Sequence, residues 1–315
     1  MAHPQHVLIA PLDWGMGHAT RCIPLIKAYQ QKGYSVLLAA PQHLLDSMRP
    51  RLSNIEFLTI PGYEITYHKH LPVWLSVVLQ LPKIRKAIQT EHQWLLEQSA
   101  RLNLSLIISD NRYGLWHPEI KSVMLTHQLQ PIAPFGGRLA ASIIRRIMRH
   151  LFTHFDEIYV PDLEGPQRIS GKLSEPFEGL PPVRYIGLLS RFTKPTTIDV
   201  VPNTMLAMLS GPEPHYSAFY HRMRQYAFNK GIAFKALGWK MPKNAQGNDI
   251  LLNANDEQFS AEVAKAATLV CAAGYSTLCD LAVLKREAQL FPTPGQTEQE
   301  YLAKRMKALF QSLTQ

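Results

Sequence analysis

The first half of the chain is punctuated by short apolar runs with almost no polar interruption: HVLIAPL, YSVLLAAP, IEFLTIPG, LSLIISD, SVMLTHQ and EIYVPD. A run of that length without alternation reads as a strand buried on both faces. Strands so buried belong to parallel sheets covered by helices on each side. The stretches between them fit. ATRCIPLIKAYQQKG is amphipathic and closed by Gly33, and a short helix starts near Gln42. A long helix runs through LSVVLQLPKIRKAIQTEHQWLLEQSARL, with a bend expected at Pro82, and GGRLAASIIRRIMRHLFTHF supplies another. The pattern stops at GKLSEPFEGLPPVRYIGLLSRFTKPTTIDVVPN, rich in proline and glycine, and then restarts. TMLAMLSG, GIAFKALG, DILLNA, TLVCAAG and AQLFP read as strands, with helices near 215–230 and in DEQFSAEVAKAA, STLCDLAVLKRE and EQEYLAKRMKALFQSL. The expected class is α/β with two Rossmann-like domains, 1–190 and 191–315, joined by a linker near 187–203.

Composition supports two cores, since 46% of the 315 residues are hydrophobic and 18% charged. No apolar run reaches membrane-spanning length, and the longest, VWLSVVLQLP from Val73, ends at a proline. The first run meets Asp13 without a small-residue cleavage pattern, so no signal peptide is expected. Cys22, Cys271 and Cys279 form neither a CxxC motif nor an even framework, which fits a reducing cytoplasm. The formal charge of +9 is spread, with 19 basic residues against 14 acidic in 1–190 and 14 against 10 beyond. Without a basic tract interleaved with aromatics, no nucleic acid partner is expected. An anionic ligand or an anionic membrane surface accounts for the charge as well.

The stretch APLDWGMGHATR, Ala10 to Arg21, follows the first run. Gly15 and Gly17 begin a G-x-G-x-x-G dinucleotide fingerprint, but its third position is Thr20. The second strand ends in Ala39-Ala40-Pro41, with no carboxylate for a ribose. A nicotinamide or flavin site is therefore not expected, and no cofactor is assigned. What remains is a tight turn carrying His18 at the carboxyl end of a buried strand. Asp110, in LSLIISDNRYG, ends another such strand. A carboxylate bonded to one imidazole nitrogen fixes the tautomer and raises the basicity of the other nitrogen, which makes His18 a candidate base. Asp13 is its rival, and His127, after SVMLT, is a further polar group. The alternative is that His18 caps the following helix and Asp110 the turn at Asn111.

In the second half, LVCAAGYSTLCDLAVLKREAQLFPTPGQTEQEYLAKRM resembles the donor-binding region of GT-B glycosyltransferases, nearest the family 28, MurG-like group. The matching positions are Gly274, Thr277, Asp280, Pro292, Gln296, Gln299 and Glu300. WGMGHAT stands where these enzymes carry a Gly-rich turn with histidine. SGPEPH, with Ser210 and Gly211, stands where they carry a second phosphate-side loop. The resemblance implies a GT-B fold, its two sheets facing across a cleft. It also implies transfer from a UDP-sugar, held by the second domain, to an acceptor hydroxyl held by the first. Inverting displacement without a metal is the implied mechanism, and the sequence offers no metal-ligand cluster.

Residue by residue, the resemblance gives free N–H groups at the helix opened by Gly274, with the Ser276 and Thr277 hydroxyls and the Ser210-Gly211 loop, to the diphosphate. Gly15 and Gly17 keep the first turn tight and open to the acceptor. Asp280 accepts from ribose hydroxyls, although the family more often has glutamate there. Gln299 and Glu300 bond sugar hydroxyls, and Asn255 lies in the segment that reads the base. For each, a helix cap or an exposed polar residue is the alternative. Two other functions share these features. A UDP-sugar 2-epimerase of the same fold needs several cleft carboxylates, and a non-catalytic nucleotide-sugar-binding subunit would dispense with His18. The family also implies a final helix crossing back onto the first domain, which is abbreviated or absent after EQEYLAKRMKALFQSL.

Two segments bear on partners. In GGRLAASIIRRIMRHLF, Arg138, Arg145 and Arg149 share a helical stripe, opposite Ile143, Ile147 and Leu151. It reads either as a basic amphipathic face on an anionic membrane or as a solvated face over a core-facing apolar stripe. HKHLPVWLSVVLQLPKIRK mixes apolar and basic residues, as an acceptor pocket, a membrane edge or part of the long helix. Lipid-linked acceptors in the resembled family, with these segments, suggest a cytoplasmic location at the inner face of the membrane.

Overall fold

The computed structural model describes residues 5–66, 73–245 and 247–313. The His68 end of HKHLPVWLSVVLQLPKIRK lies outside them. The chain divides into two compact units, Met1–Asp13, His18–Ile65 and Val77–Leu189 against Trp14–Gly17, Thr66–Ser76 and Ser190–Gln315.

The first unit holds β1 (His6–Pro11), α1 (Met16–Gln31), β2 (Ser35–Ala40), α2 (Gln42–Met48) and β3 (Glu56–Thr59). After the short α3 (Val73–Val78), whose residues through Ser76 group with the second unit, come α4 (Leu81–Leu102), β4 (Leu104–Asp110), β5 (Ser122–Leu125), α5 (Gly137–Phe152), β6 (Glu157–Val160) and β7 (Val183–Tyr185). The strands form one parallel sheet in the order β3-β2-β1-β4-β5-β6-β7. Alternate residues of each central strand serve opposite faces. Leu8, Ala10, Leu37 and Ile107 pack with Leu95 of α4, while Met124, Ile158 and Val160 pack with Met148 and Phe152 of α5. Right-handed crossovers put α4 and α5 on the same face of this sheet. Trp116 confirms their proximity, stacked between His92 of α4 (4.2 Å) and His154 just beyond α5 (4.3 Å).

The second unit repeats the design with β8 (Val201–Met208), α6 (His215–Lys230), β9 (Ala233–Gly238), β10 (Ile250–Leu252), α7 (Asp256–Lys265) and β11 (Ala266–Cys271). It finishes with α8 (Tyr275–Leu284), β12 (Gln289–Leu290) and α9 (Thr297–Leu313). Its parallel sheet runs β10-β9-β8-β11-β12. Met205 and Ala207 of β8 face Tyr216, Tyr220 and Met223 of α6, and Leu206 and Met208 face Val263 of α7 with Leu281 and Leu284 of α8.

Three sequence expectations are corrected. Pro82 does not bend one long helix: α3 ends at Val78 and α4 starts at Leu81, with the proline in its first turn, where no backbone N–H is needed. The proline-rich tract contributes a strand, since β7 pairs with β6 from Ile158↔Val183; three half-exposed residues behind two prolines carry too little pattern to be seen. The isoleucine stripe of α5 does not face the core. That helix buries Met148 and Phe152, leaving Leu139 (74%), Ile143 (53%) and Ile147 (52%) exposed beside Phe135 (64%). Among the described residues, no helix is long and apolar enough to cross a membrane.

Candidate functional site

In both sheets the strand order reverses at one point, between β1 and β4 in the first unit and between β8 and β11 in the second. Crevices outside the carboxyl ends of strands at such reversals are where open α/β sheets take ligands. The register there is tight in the first unit. Pro11 pairs with Asp110, and the amide of Leu12 donates to the Asp110 carbonyl at 3.0 Å, so β1 hands its following loop directly to the side of Asp110.

Helix α1 begins at Met16, before the histidine, so His18 sits in its first turn rather than in a loop. This places His18 and Arg21 on one helical face, both aimed at Asp110. His18 Nδ1 lies 3.1 and 3.2 Å from the two Asp110 carboxylate oxygens. Arg21 grips the same carboxylate with two donors, Nε to Oδ2 at 2.8 Å and NH2 to Oδ1. Its NH2 is also 2.9 Å from His18 Nδ1, and its NH1 is 3.3 Å from His127 Nδ1. Asp110 and Arg21 are buried, whereas His18 keeps about a fifth of its side chain open to solvent. Burial works to raise the Asp110 pKa, but the charges of Arg21 and His18 and their hydrogen bonds outweigh it and bring the carboxyl down to about 2. A fixed anion thus stands behind an accessible imidazole.

Asp13, the rival candidate, accepts from the Tyr63 amide through Oδ2 at 3.0 Å, and its Oδ1 is buried without a partner. A Cβ on Gly62 would collide with this carboxylate, so glycine is what lets the loop after β3 close on it. The same loops are clamped from beneath by Arg112. Its guanidinium donates to the carbonyls of Pro61 (2.6 Å) and Pro11 (3.4 Å) and faces Glu91 Oε1 at 2.7 Å, while Glu91 Oε2 accepts from the Tyr63 hydroxyl and the Gly114 amide. Sequence reasoning missed Arg21, Arg112 and Glu91. Arg21 was legible only once α1 was started before His18, which makes the two residues neighbours at a spacing of three.

In the second unit, Gly274 precedes α8 with extended dihedrals and, as a glycine, brings no capping side chain; Ser276 and Thr277 fall in its first turn. Residues 14–17 group with this unit, and a Cβ on Gly17 would come within 3.2 Å of Ser276 Cβ and Oγ, so the backbone there is close to the helix start. Gly15 takes φ +135°, a conformation glycine alone adopts readily. Ser210 and Gly211, the latter at φ +86°, form the half-buried turn after β8.

The other nominated residues have protein partners. Asn255 caps α7 in a reciprocal capping box with Gln258. Asp280 accepts from the Ser190 hydroxyl at 2.6 Å and lies 3.5 Å from Arg191 Nε. Burial raises its pKa, against the pull of Arg191 and Ser190. Gln299 Oε1 accepts from the Thr293 amide at 2.8 Å and Glu300 Oε1 from the Gly295 amide at 3.0 Å, so both fold the 293–296 turn onto the start of α9. Among the described residues, no three His, Cys, Asp or Glu side chains are grouped to hold a metal ion.

The chain matches no protein-family model and no curated protein. Solved structures do match it. The glycotransferase of kitacinnamycin superposes with a TM-score of 0.63 at 12% identity, over 98% of this chain and 85% of that one. A UDP-glucosyltransferase from Polygonum tinctorium capable of glucosylating indoxyl gives 0.60 at 11%, over 99% and 94%. Arabidopsis thaliana UGT89C1, complexed with UDP-L-rhamnose, gives 0.57 at 13%, over 99% and 95%. The fold is GT-B. At these identities the likeness speaks for architecture, and the residues of this GT-B chain must carry the chemistry.

Proposed function

We propose that the chain is a glycosyltransferase moving a sugar from a UDP-linked donor to an acceptor hydroxyl, inverting and independent of a metal, of the MurG-like kind. The observation that carries this is the dyad at the end of β4: an imidazole open to solvent at one end and backed by a buried, ionised carboxylate at the other. In this reading His18 Nε2 removes the acceptor proton as the hydroxyl attacks the anomeric carbon. The start of α8, with the hydroxyls of Ser276 and Thr277, and the Ser210-Gly211 turn stabilise the departing diphosphate. The UDP and UDP-sugar complexes among structures of this fold support a nucleotide-sugar donor.

The outer face of α5 supports a peripheral attachment to an anionic membrane, and with it a lipid-linked acceptor. Its exposed Leu139, Ile143 and Ile147 have Arg146 beside them, Arg138, Arg145 and Arg149 hold a separate stripe, and no residue of the helix is acidic.

The test is product analysis by mass spectrometry, offering a panel of UDP-sugars with a lipid extract. His18→Ala is expected to cut transfer by about 100- to 10,000-fold while UDP still binds. Persistent turnover would shift the base assignment to Asp13.

A further inference from the structure

We propose that Arg21 is a positioning residue for His18: by gripping both oxygens of Asp110 it keeps the ring proton on Nδ1 and leaves Nε2 bare. A ring nitrogen either donates or accepts in the plane of the imidazole, never both. The cluster offers His18 Nδ1 two incompatible arrangements. It can donate to Asp110, 3.1 Å away, or accept from Arg21 NH2, 2.9 Å away. Only the first leaves Nε2 able to take a proton.

The surroundings favour the first arrangement. Arg21 already commits Nε and NH2 to Asp110, so neither nitrogen of the fork needs the His18 imidazole as its acceptor, and NH1 points to His127 instead. Asp110 is fully buried, and a carboxylate there keeps its charge only while a cation holds it. Arg21 is the leading influence opposing the protonation that burial would impose. Two further titratable groups act on the carboxylate, Cys22, with Sγ 3.8 Å from Oδ2, and Tyr113, while His127 lies on the far side of the Arg21 fork, 3.3 Å from its NH1. Burial and the Asp110 charge both push Cys22 and Tyr113 up, so neither offers the carboxylate a countercharge. Without Arg21, a protonated Asp110 would no longer demand an N–H from the imidazole. Because α1 starts at Met16, Arg21 lies one turn beyond His18 on a rigid element, and fork and ring move as one body.

The catalytic meaning of this assignment rests on the transferase reading; the tautomer itself does not. It is measured on the full, unliganded chain labelled with 15N-histidine, by long-range 1H–15N correlation, His18 being assigned from the signals lost in His18→Gln. The wild type is expected to carry the proton on Nδ1. In Arg21→Gln the Nε2–H form should become the major one, and Arg21→Lys, which keeps a charge without the fork, should fall between. In turnover, Arg21→Gln is expected to lower kcat by about 100-fold, the low end of the range for losing a positioned base, with little change in KM for the donor. A wild-type proton on Nε2, or a tautomer unchanged in Arg21→Gln, overturns the proposal. If Arg21→Gln does not fold, the wild-type spectrum and Arg21→Lys decide it. A wild type with the expected tautomer and no transfer overturns only the transferase reading.

Discussion

The hydroxyl of Ser190, where the chain passes for the last time into the second unit, donates to Asp280 at 2.6 Å, and the neighbouring Arg191 Nε lies 3.5 Å from the same carboxylate. The guanidinium also lies against the stacked rings of Phe192 and Phe259, at 4.9 and 4.2 Å from their centres. Asp280 thus fastens the entry of the chain into its second unit. Ser190→Ala is expected to lower the unfolding free energy by about 1 kcal/mol, the worth of one hydrogen bond. Asp280→Ala should cost more, about 1.5–3 kcal/mol, because the largely buried Arg191 and the Ser190 hydroxyl both lose a charged partner, although Asp256 still holds the guanidinium at 3.4 Å. Urea unfolding followed by circular dichroism reads both. Should Asp280→Ala leave stability intact and weaken UDP binding instead, the carboxylate serves the ribose.

Glu91 and Arg112 form a pair from which water is excluded. Breaking such a pair on one side leaves a buried charge uncompensated, so Glu91→Ala or Arg112→Ala is expected to cost about 3–5 kcal/mol. Replacing both with apolar residues should cost less than the sum. The remainder reflects the Pro11 and Pro61 carbonyls that lose their donor. A double-mutant cycle in urea gives the coupling, and simple additivity would show that the two residues do not depend on each other.

Strands were the most legible part of this chain, because a parallel sheet covered on both faces writes itself as unbroken apolar runs. β7 and the gap between α3 and α4 were not: one is too short and too exposed for periodicity to register, the other hinges on a proline that serves equally as a bend or a first turn. His18 and Asp110 were visible from their position after strands, which the register of β1 with β4 turns into proximity. Arg21 was not, since its partner lies 89 residues away and nothing local distinguishes it from a solvated helical arginine. For Asn255, Asp280, Gln299 and Glu300 the motif spacing named the positions, but spacing is silent on which side-chain atoms already have partners.

Acid should expose the state of Asp110. Its carboxyl titrates near 2 in the folded chain against an ordinary 3.8. The unfolded chain therefore takes up the proton first as pH falls. The stabilisation is complete above about 3.8 and is lost on the way down to about 2. Over that window the urea midpoint of the wild type should fall more steeply than that of Asp110→Asn, which lacks the contribution at every pH. Glu91, raised by burial, acts in the opposite sense but equally in both proteins. Parallel slopes would mean that Asp110 is not held ionised by Arg21.

The exposed stripe of α5 has its own consequence. Inserting an isoleucine into an acyl layer is worth about 1.5–3 kcal/mol, and each arginine near an anionic surface adds about 1 kcal/mol. Wild type is expected to sediment with vesicles of mixed phosphatidylglycerol and phosphatidylcholine, and to release as salt rises. Ile143→Glu with Ile147→Glu should reduce the bound fraction by at least about tenfold, since two such insertions are lost. Both side chains are half exposed, so stability should change little. Arg145→Gln with Arg146→Gln should weaken binding to the anionic vesicles and leave binding to neutral ones unchanged. If the wild type ignores vesicles but self-associates in analytical ultracentrifugation, and the glutamate pair abolishes that association, the stripe contacts a second copy of the chain rather than lipid.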